Sequence, residues 1–294
     1  MKFALFLGCN IPVRVQQYDI AARAVLDRFN VEVVDFDDFK CCGYPMRNTS
    51  FKAFLLSAAR NLAIAEQQEL DIMTLCKCCF GSLKKAAHLL EEDPSLKDDI
   101  NADLGKEGMA YRGGEISVTH LLSVLHKDLG LPAIEGKITR PFKSLNIATH
   151  YGCHALRPSD ITQFDNPIEP VVFDELVEAT GADSVDWPLK LECCGAPLLG
   201  SNDGLSADLT DRKLTDAKQA GGSYICSACP WCQLQFDQVQ QDICERKGAE
   251  YGPPSVLYPQ LLGLAMGIDK NDLALDMNRI DINGLTGYQP QEQS

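Results

Sequence analysis

Ten of the thirteen cysteines in this chain of 294 residues spell one five-thiol pattern twice. The first copy is Cys9, Cys41-Cys42-Gly43 and Cys76-x-x-Cys79; the second is Cys153, Cys193-Cys194-Gly195 and Cys229-x-x-Cys232. The copies are offset by 144 residues at the single cysteine, 152 at the pair and 153 at the C-x-x-C, and a proline, Pro45 or Pro197, follows each pair at the same distance. Blocks that keep step within one residue mark an internal duplication in which each half carries its own thiol site.

Three chemistries use such sites. Disulfides fit poorly, because Met1 to Gly8 does not read as a leader with an apolar stretch and cleavage site; the expectation is a cytoplasmic chain whose thiols stay reduced. A chain of this length also buries a core without covalent staples. Structural zinc takes four ligands in a tetrahedron, and five thiols per half exceed what a closed site uses. Iron with sulfide builds larger centres, and the adjacent cysteines point the same way. Neighbouring side chains on an extended backbone diverge. Both reach one centre only where it is polynuclear or the backbone bends sharply, as Gly43 and Gly195 allow.

The elements that must hold these loops read as short apolar runs alternating with helical stretches. In the first half Lys2 to Leu7, Val31 to Phe36 and Asp71 to Leu75 are predicted strands. Helices are predicted over Val13 to Phe29, from a cap at Asn48 or Ser50 to Glu69, and from Cys79 to Leu90. The second half repeats the pattern with Leu145 to His150, Phe173 to Thr180, Ser184 to Trp187, a helix near Asp203 to Gln219, Tyr224 to Ser227, and Gln233 to Cys244. The expected fold is α/β, in two tandem pseudo-symmetric halves, each a small parallel sheet with flanking helices. Every cysteine block then follows the C-terminal end of a predicted strand, where open α/β sheets place their ligands.

Glu91 to Phe142 joins the halves, with a helix expected from Ser117 to Leu129 and a boundary near residue 140, giving halves 1–140 and 141–294. From Cys153 to Cys193 is 40 residues against 32 from Cys9 to Cys41, so the second copy holds an extra loop with Arg157-Pro158-Ser159-Asp160 and Asp165-Asn166-Pro167. It is read as the rim of a substrate mouth, a partner contact or a plain insertion. The polar stretch from Gly284 to Ser294 is expected to fray. A formal charge of -14 and a pI near 4.8 argue against a nucleic-acid partner. No apolar run reaches membrane-spanning length, Val256 to Met266 being broken by Pro259 and Gly263.

The pattern C-x(n)-C-C-G-x(n)-C-x-x-C, written twice, resembles the cysteine-rich CCG domains. Over essentially its whole length the chain is similar to the B subunits of heterodisulfide reductases, down to Phe6-Leu7-Gly8-Cys9, Asp71-Ile72-Met73-Thr74-Leu75-Cys76 and Cys229-Pro230-Trp231-Cys232-Gln233. The resemblance implies two non-cubane 4Fe-4S clusters facing one another, with a disulfide split between them. Cys9, Cys41, Cys42, Cys76 and Cys79 would hold one, and Cys153, Cys193, Cys194, Cys229 and Cys232 the other. The implied substrate is the coenzyme M–coenzyme B heterodisulfide of methanogenesis or a related disulfide. The chain has no Gly-x-Gly-x-x-Gly, and its one C-x-x-C-x-x-C, Cys226 to Cys232, lacks the fourth cysteine of a ferredoxin run, Phe236 standing in that place, so electrons are expected from another protein. The resemblance supplies the heterodisulfide reductase C subunit, with cubane 4Fe-4S clusters, fed by the flavin-bearing A subunit.

Aligning the halves leaves Cys78, Cys226 and Cys244 without counterparts, and they read as small buried apolar residues, with Cys78 the one a ligand swap would reach most easily. His154 follows Cys153 where the first half has Asn10, which makes it the candidate proton donor or a supporting contact; His88, His120, His126 and His150 read as ordinary surface or core residues. Arg47, Lys77, Arg157 and Lys190 lie near motif cysteines as contacts to anionic substrate groups or as solvated charge. Two other readings compete. One is a CCG electron-transfer subunit of a glycolate, lactate or thiol-fumarate system, and the other is a structural zinc protein. Iron and acid-labile sulfide should approach two 4Fe-4S units per chain in anaerobically prepared protein. Stoichiometric zinc in the second half, with iron confined to the first, would contradict this.

Overall fold

Short apolar runs that must be buried on both faces pair most simply in parallel, and the computed structural model, which describes residues 1–248 and 252–290, contains two such sheets. The first pairs β1 (Lys2–Phe6), β2 (Glu32–Val34), β3 (Ile72–Thr74) and β4 (Val118–His120) in the order β2-β1-β3-β4. The second pairs β5 (Asn146–Thr149), β6 (Asp183–Val185), β7 (Tyr224–Ser227) and β8 (Ser255–Leu257) in the order β6-β5-β7-β8. All six pairings are parallel, with Phe6 beside Thr74 and Thr149 beside Cys226. The expected α/β architecture with two repeated halves is therefore the observed one.

Strand order decides where a ligand goes. The chain leaves β1 one way to β2 and returns across it to β3, so loops diverge at the C-terminal ends of β1 and β3, opening a crevice there. Cys9 and the Cys76–Cys79 loop lie at those two ends, and Cys153 and the Cys229–Cys232 loop lie at the matching ends of β5 and β7.

Several boundaries differ from expectation. Each half has a fourth strand that the apolar pattern does not announce: β4 opens the stretch predicted as a helix from Ser117 to Leu129, and three residues are too few to show alternation before the helical turns Leu121–Ser123 and Val124–Leu129 begin. The helix predicted from Val13 is two pieces, Ile11–Arg14 and Gln16–Arg28, separated at Val15, whose φ of -141° and ψ of 48° are not helical. Ser50 caps the helix Phe51–Gln67 by accepting from the Ala53 amide at 3.3 Å, and Asn202 does the same for Asp203–Gln219 at 3.1 Å from Leu205. From Asn283 to Tyr288 the chain is a short helix, and Gln289 is buried, donating to the Arg140 and Leu264 carbonyls at 2.9 Å each; that part does not fray, and residues 291–294 lie outside the described residues.

The halves exchange their last helices. Tyr258–Ala265, which follows β8, packs along Gln16–Arg28 of the first half, and the turns after β4 pack on Val172–Glu178 of the second. His126 Nε2 meets Glu175 Oε2 at 2.6 Å across that second seam. The extra loop of the second half also crosses over. Its short helix Ser159–Thr162 lies on Lys77–Glu92, and Lys84 Nζ donates to the Thr162 carbonyl at 2.9 Å. Residues 1–140 expressed alone leave the Gln16–Arg28 helix uncovered, so their thermal unfolding by circular dichroism should be broad and should sharpen on co-expression with 141–294. A first half that melts as cooperatively alone as in the full chain would contradict the exchange as a stabilising feature.

Candidate metal centre

Each Cys-Cys-Gly loop bends at its glycine. Gly43 has φ 81° and Gly195 φ 95°, the left-handed region that glycine enters without strain. A Cβ at Gly43 would stand 2.7 Å from the Phe54 carbonyl oxygen, and one at Gly195 would stand 2.6 Å from that of Ser206. The loop is thus pressed onto the helix that follows it. That helix supplies its anchors: Ser57 Oγ and Asn61 Nδ2 donate to the Cys41 carbonyl at 2.8 and 3.1 Å, and Thr210 Oγ1 donates to the Cys194 carbonyl at 3.0 Å. Cys76 and Cys229 occupy the caps of Lys77–Glu92 and Pro230–Leu234, with Cys79 and Cys232 in the opening turns.

The sulfurs gather in two baskets. Cys9, Cys41, Cys42, Cys76 and Cys79 line a narrow space in the first half; Cys153, Cys193, Cys194, Cys229 and Cys232 line a cavity of about 280 Å³ in the second. Tyr44, Pro45, Cys78 and Trp231 line both and form the wall between them. No disulfide joins any of the thirteen cysteines. Cys194 Sγ and Cys232 Sγ are 3.6 Å apart, close to the edge of about 3.8 Å that a tetrahedron with metal–sulfur bonds near 2.3 Å requires. Gly8 leaves room for sulfur, since a Cβ there would come 2.8 Å from Cys79 Sγ.

Protonation follows the same geometry at both Cys-Cys-Gly loops. The Cys9 and Cys42 thiols donate to Cys41, which with the Gly43 amide lowers its pKa to about 2. Cys193 is lowered to about 2 by Cys153 and Cys194, helped by the Gly195 amide 3.4 Å from its sulfur and by His154. The same sharing pushes Cys42 and Cys194 up to about 12. Each basket mixes thiolate and thiol, Cys229 in the second also being held well below its ordinary value, against burial, by the Cys232, Cys76 and Cys78 thiols, and a cation entering either basket displaces the remaining protons. Ten reduced soft donors in two groups of five fit iron with sulfide.

The structure re-sorts the other candidates. Cys226, in β7, and Cys244 are buried and line neither space, whereas Cys78 stands in the shared wall, its ligand atom within 4.8 Å of those of Cys76 and Cys229. Lys77, expected as solvated charge or a substrate contact, is buried and donates to the His150 and Tyr151 carbonyls at 3.1 and 2.7 Å, tying the first-half C-x-x-C to the second half. Lys190 is ion-paired at 3.1 Å with Asp186, while Arg47 and Arg157 border a neighbouring basin with Lys85. His154 is half-buried at the cavity, with Nδ1 3.3 Å from Cys153 Sγ and 3.5 Å from Cys78 Sγ, and Nε2 3.3 Å from Arg47. A guanidinium only donates, so Nε2 accepts and the proton sits on Nδ1, aimed at sulfur. Burial, then Arg47, lowers the pKa of His154, against the pull of Cys229 and Cys193. Of the remaining histidines, His88 pairs with Glu92 at 3.3 Å, and His120 accepts from the Leu122 amide. His150, which reads from its position in the chain as an ordinary residue, lies with Cys194 and Cys232, their ligand atoms all within 4.8 Å of one another.

Fold and thiol geometry together define a duplicated cysteine-rich α/β protein. The family model described as "Cysteine-rich domain", CCG, matches residues 3–84 and again 147–237, and the chain belongs to that family. Within it, the chain is 38% identical over 283 residues, covering 95% of this chain and 94% of the relative, to the B subunit of the "Ferredoxin/F(420)H(2)-dependent CoB-CoM heterodisulfide reductase" of Methanosarcina acetivorans. It is 31% identical over 285 residues, covering 97% and 99%, to the "8-methylmenaquinol:fumarate reductase membrane anchor subunit" of Wolinella succinogenes. A solved structure of a hypothetical protein from Helicobacter pylori superposes with a TM-score of 0.74 at 17% identity, over 96% of this chain but 52% of that one, and shares the fold. Among the described residues no helix is long and apolar enough to cross a membrane.

Gly195→Ala forces a left-handed backbone and a carbonyl collision at once. It should cost roughly 1–3 kcal/mol and lower the iron content of the second half while sparing the first. Equal iron in the variant and the parent would show that the loop tolerates a side chain.

Proposed function

We propose that this chain is the iron–sulfur subunit of an oxidoreductase that reduces a disulfide to two thiols, using electrons delivered by partner subunits. The observation that supports it most directly is the pair of five-thiol baskets at matching strand ends on either side of one wall, with a cavity open to a substrate on the second-half side. Under this reading Cys9, Cys41, Cys42, Cys76 and Cys79 hold one non-cubane 4Fe-4S cluster, and Cys153, Cys193, Cys194, Cys229 and Cys232 hold the other. Such clusters supply electrons singly.

The remaining roles fall to this chain's own side chains. A disulfide takes two electrons and two protons to become two thiols. His154 carries a proton on Nδ1 between two sulfurs of the cavity wall, where it serves a nascent thiolate, and Arg47 fixes the ring through Nε2. Arg47, Lys85 and Arg157 border the basin beside the cavity, suited to an anionic end of the substrate. Tyr44 and Trp231 offer apolar surface to its arms.

The coenzyme M–coenzyme B heterodisulfide is the substrate in the name of the Methanosarcina relative, and that compound or a related disulfide is the substrate proposed here. The two relatives are named for different donors and acceptors, so the likeness to them singles out no one electron source. Partners of the kind expected from the resemblance, a C subunit with cubane clusters and a flavin-bearing A subunit, and a cytoplasmic setting complete the reading.

Cys42→Ala and Cys194→Ala should each lose or alter the centre of one half, seen by electron paramagnetic resonance, and abolish disulfide reduction. Cys244→Ala should leave both centres. His154→Asn should keep its iron and lower turnover about a hundredfold, the lower end of what positioned proton transfer contributes. Loss of iron from all four variants alike would defeat the assignment, and unaltered turnover in His154→Asn would reduce that residue to packing.

A further inference from the structure

Beside the second basket stand a buried imidazole and a buried ammonium that have no equivalents in the first half. At the repeat offsets, Phe6 stands where the second half has His150, and Asn61 stands where it has Lys213. His150 is fully buried, and neither ring nitrogen has a hydrogen-bond partner of good geometry among the described residues, although the Lys190 backbone carbonyl lies close enough to bear on the ring. An unpaired buried polar group is costly, and native interiors rarely leave one without cause.

What faces it is the thiol basket. A ring nitrogen lies within 4.8 Å of both Cys194 Sγ and Cys232 Sγ. A methyl group built on Gly152 would come 3.5 Å from Nε2 and 3.8 Å from Cys232 Sγ, so the two atoms border one small space. Phe236 holds the ring edge-on at 4.9 Å, with Trp187 at 6.4 Å. An imidazole carries at least one ring N–H in either protonation state, so the ring has a proton to donate, and Lys213 and Lys77 bear on the same ring. Lys77 lines the same cavity as Cys194 and Cys232. Lys213 lies over the Trp187 ring and donates to the Leu189 carbonyl. In the first half Asn61 spends its amide on the Cys41 and Ser57 carbonyls, and Phe6 has nothing to donate.

We propose that His150 donates a ring N–H to the second-half iron–sulfur centre and, with Lys77 and Lys213 on the same side, makes that centre the more readily reduced of the two. The inference rests on the iron–sulfur reading above. Five thiolates are already assigned to that centre, so the ring acts as a hydrogen-bond donor rather than as a ligand. Hydrogen bonds to cluster sulfur and nearby positive charge both favour the reduced state. The duplication is then electrically polar, and the first electron to arrive rests in the second half, beside the larger cavity.

The test uses the full chain, loaded anaerobically and labelled with nitrogen-15 histidine, in a His154→Asn background that removes the neighbouring imidazole. Pulsed electron paramagnetic resonance should show histidine nitrogen coupled to one centre. Adding His150→Phe, the residue of the first half, should abolish that coupling and shift one reduction step to lower potential while iron content holds. Lys213→Met should shift the same step in the same direction with the coupling retained. Full iron with no histidine coupling in the His154→Asn chain overturns the inference whether or not the phenylalanine variant folds. So do potentials indifferent to both substitutions. A parent chain that takes up no iron overturns the iron–sulfur reading and this inference together.

Discussion

Two cysteines in succession leave an extended backbone on opposite sides, and a basket that uses both must turn the chain between one residue and the next. Gly43 and Gly195 make that turn, and they make it against a carbonyl of the following helix with no room for a methyl group. The helix is therefore fixed relative to the loop, and its polar residues are recruited to hold the cysteine carbonyls. Parallel strands bring the other three sulfurs to the same end. The arrangement is a loop problem solved by a glycine, with the sheet as its frame.

The two solutions are not left as separate bodies. Exchange of the last helices, the Lys77 ammonium on the His150 and Tyr151 carbonyls, and the second-half insertion on Lys77–Glu92 each cross the seam. The Lys77 and Lys84 contacts both come from the helix that opens at the first-half C-x-x-C. Contacts across the seam are thus placed where they fix one thiol basket relative to the other, with a wall of four residues between the two spaces.

Much of this is legible in the residues because the cysteine spacing is a covalent fact that survives drift, and because strands and loops alternate at a period that apolar runs reveal. The repeat, the parallel α/β class and the grouping of cysteines beyond strand ends are visible that way. β4 and β8 are not, since three residues leading directly into a helix carry no alternation to read. Lys77 reads as solvated because lysine usually is, and only tertiary contact reveals that the second half provides its carbonyls. His150 reads as an ordinary residue unless it is set beside its repeat partner Phe6, an aromatic residue that marks the position as interior and the imidazole as a departure. Cys78 has no counterpart by symmetry, and symmetry fails at the wall, where Trp231 from the other half occupies the same border.

The exchanged helices also set an order of manufacture. Tyr258–Ala265 lies far downstream of Gln16–Arg28 in the chain, yet it is the cover for that helix, so it leaves the ribosome long after the element it packs on. A half-made protein holds its first five thiols in a body whose Gln16–Arg28 helix has not yet met that cover. The fold itself thus works as a timer: the first basket is complete in sequence at Cys79 but reaches its final packing only once the second half has been made.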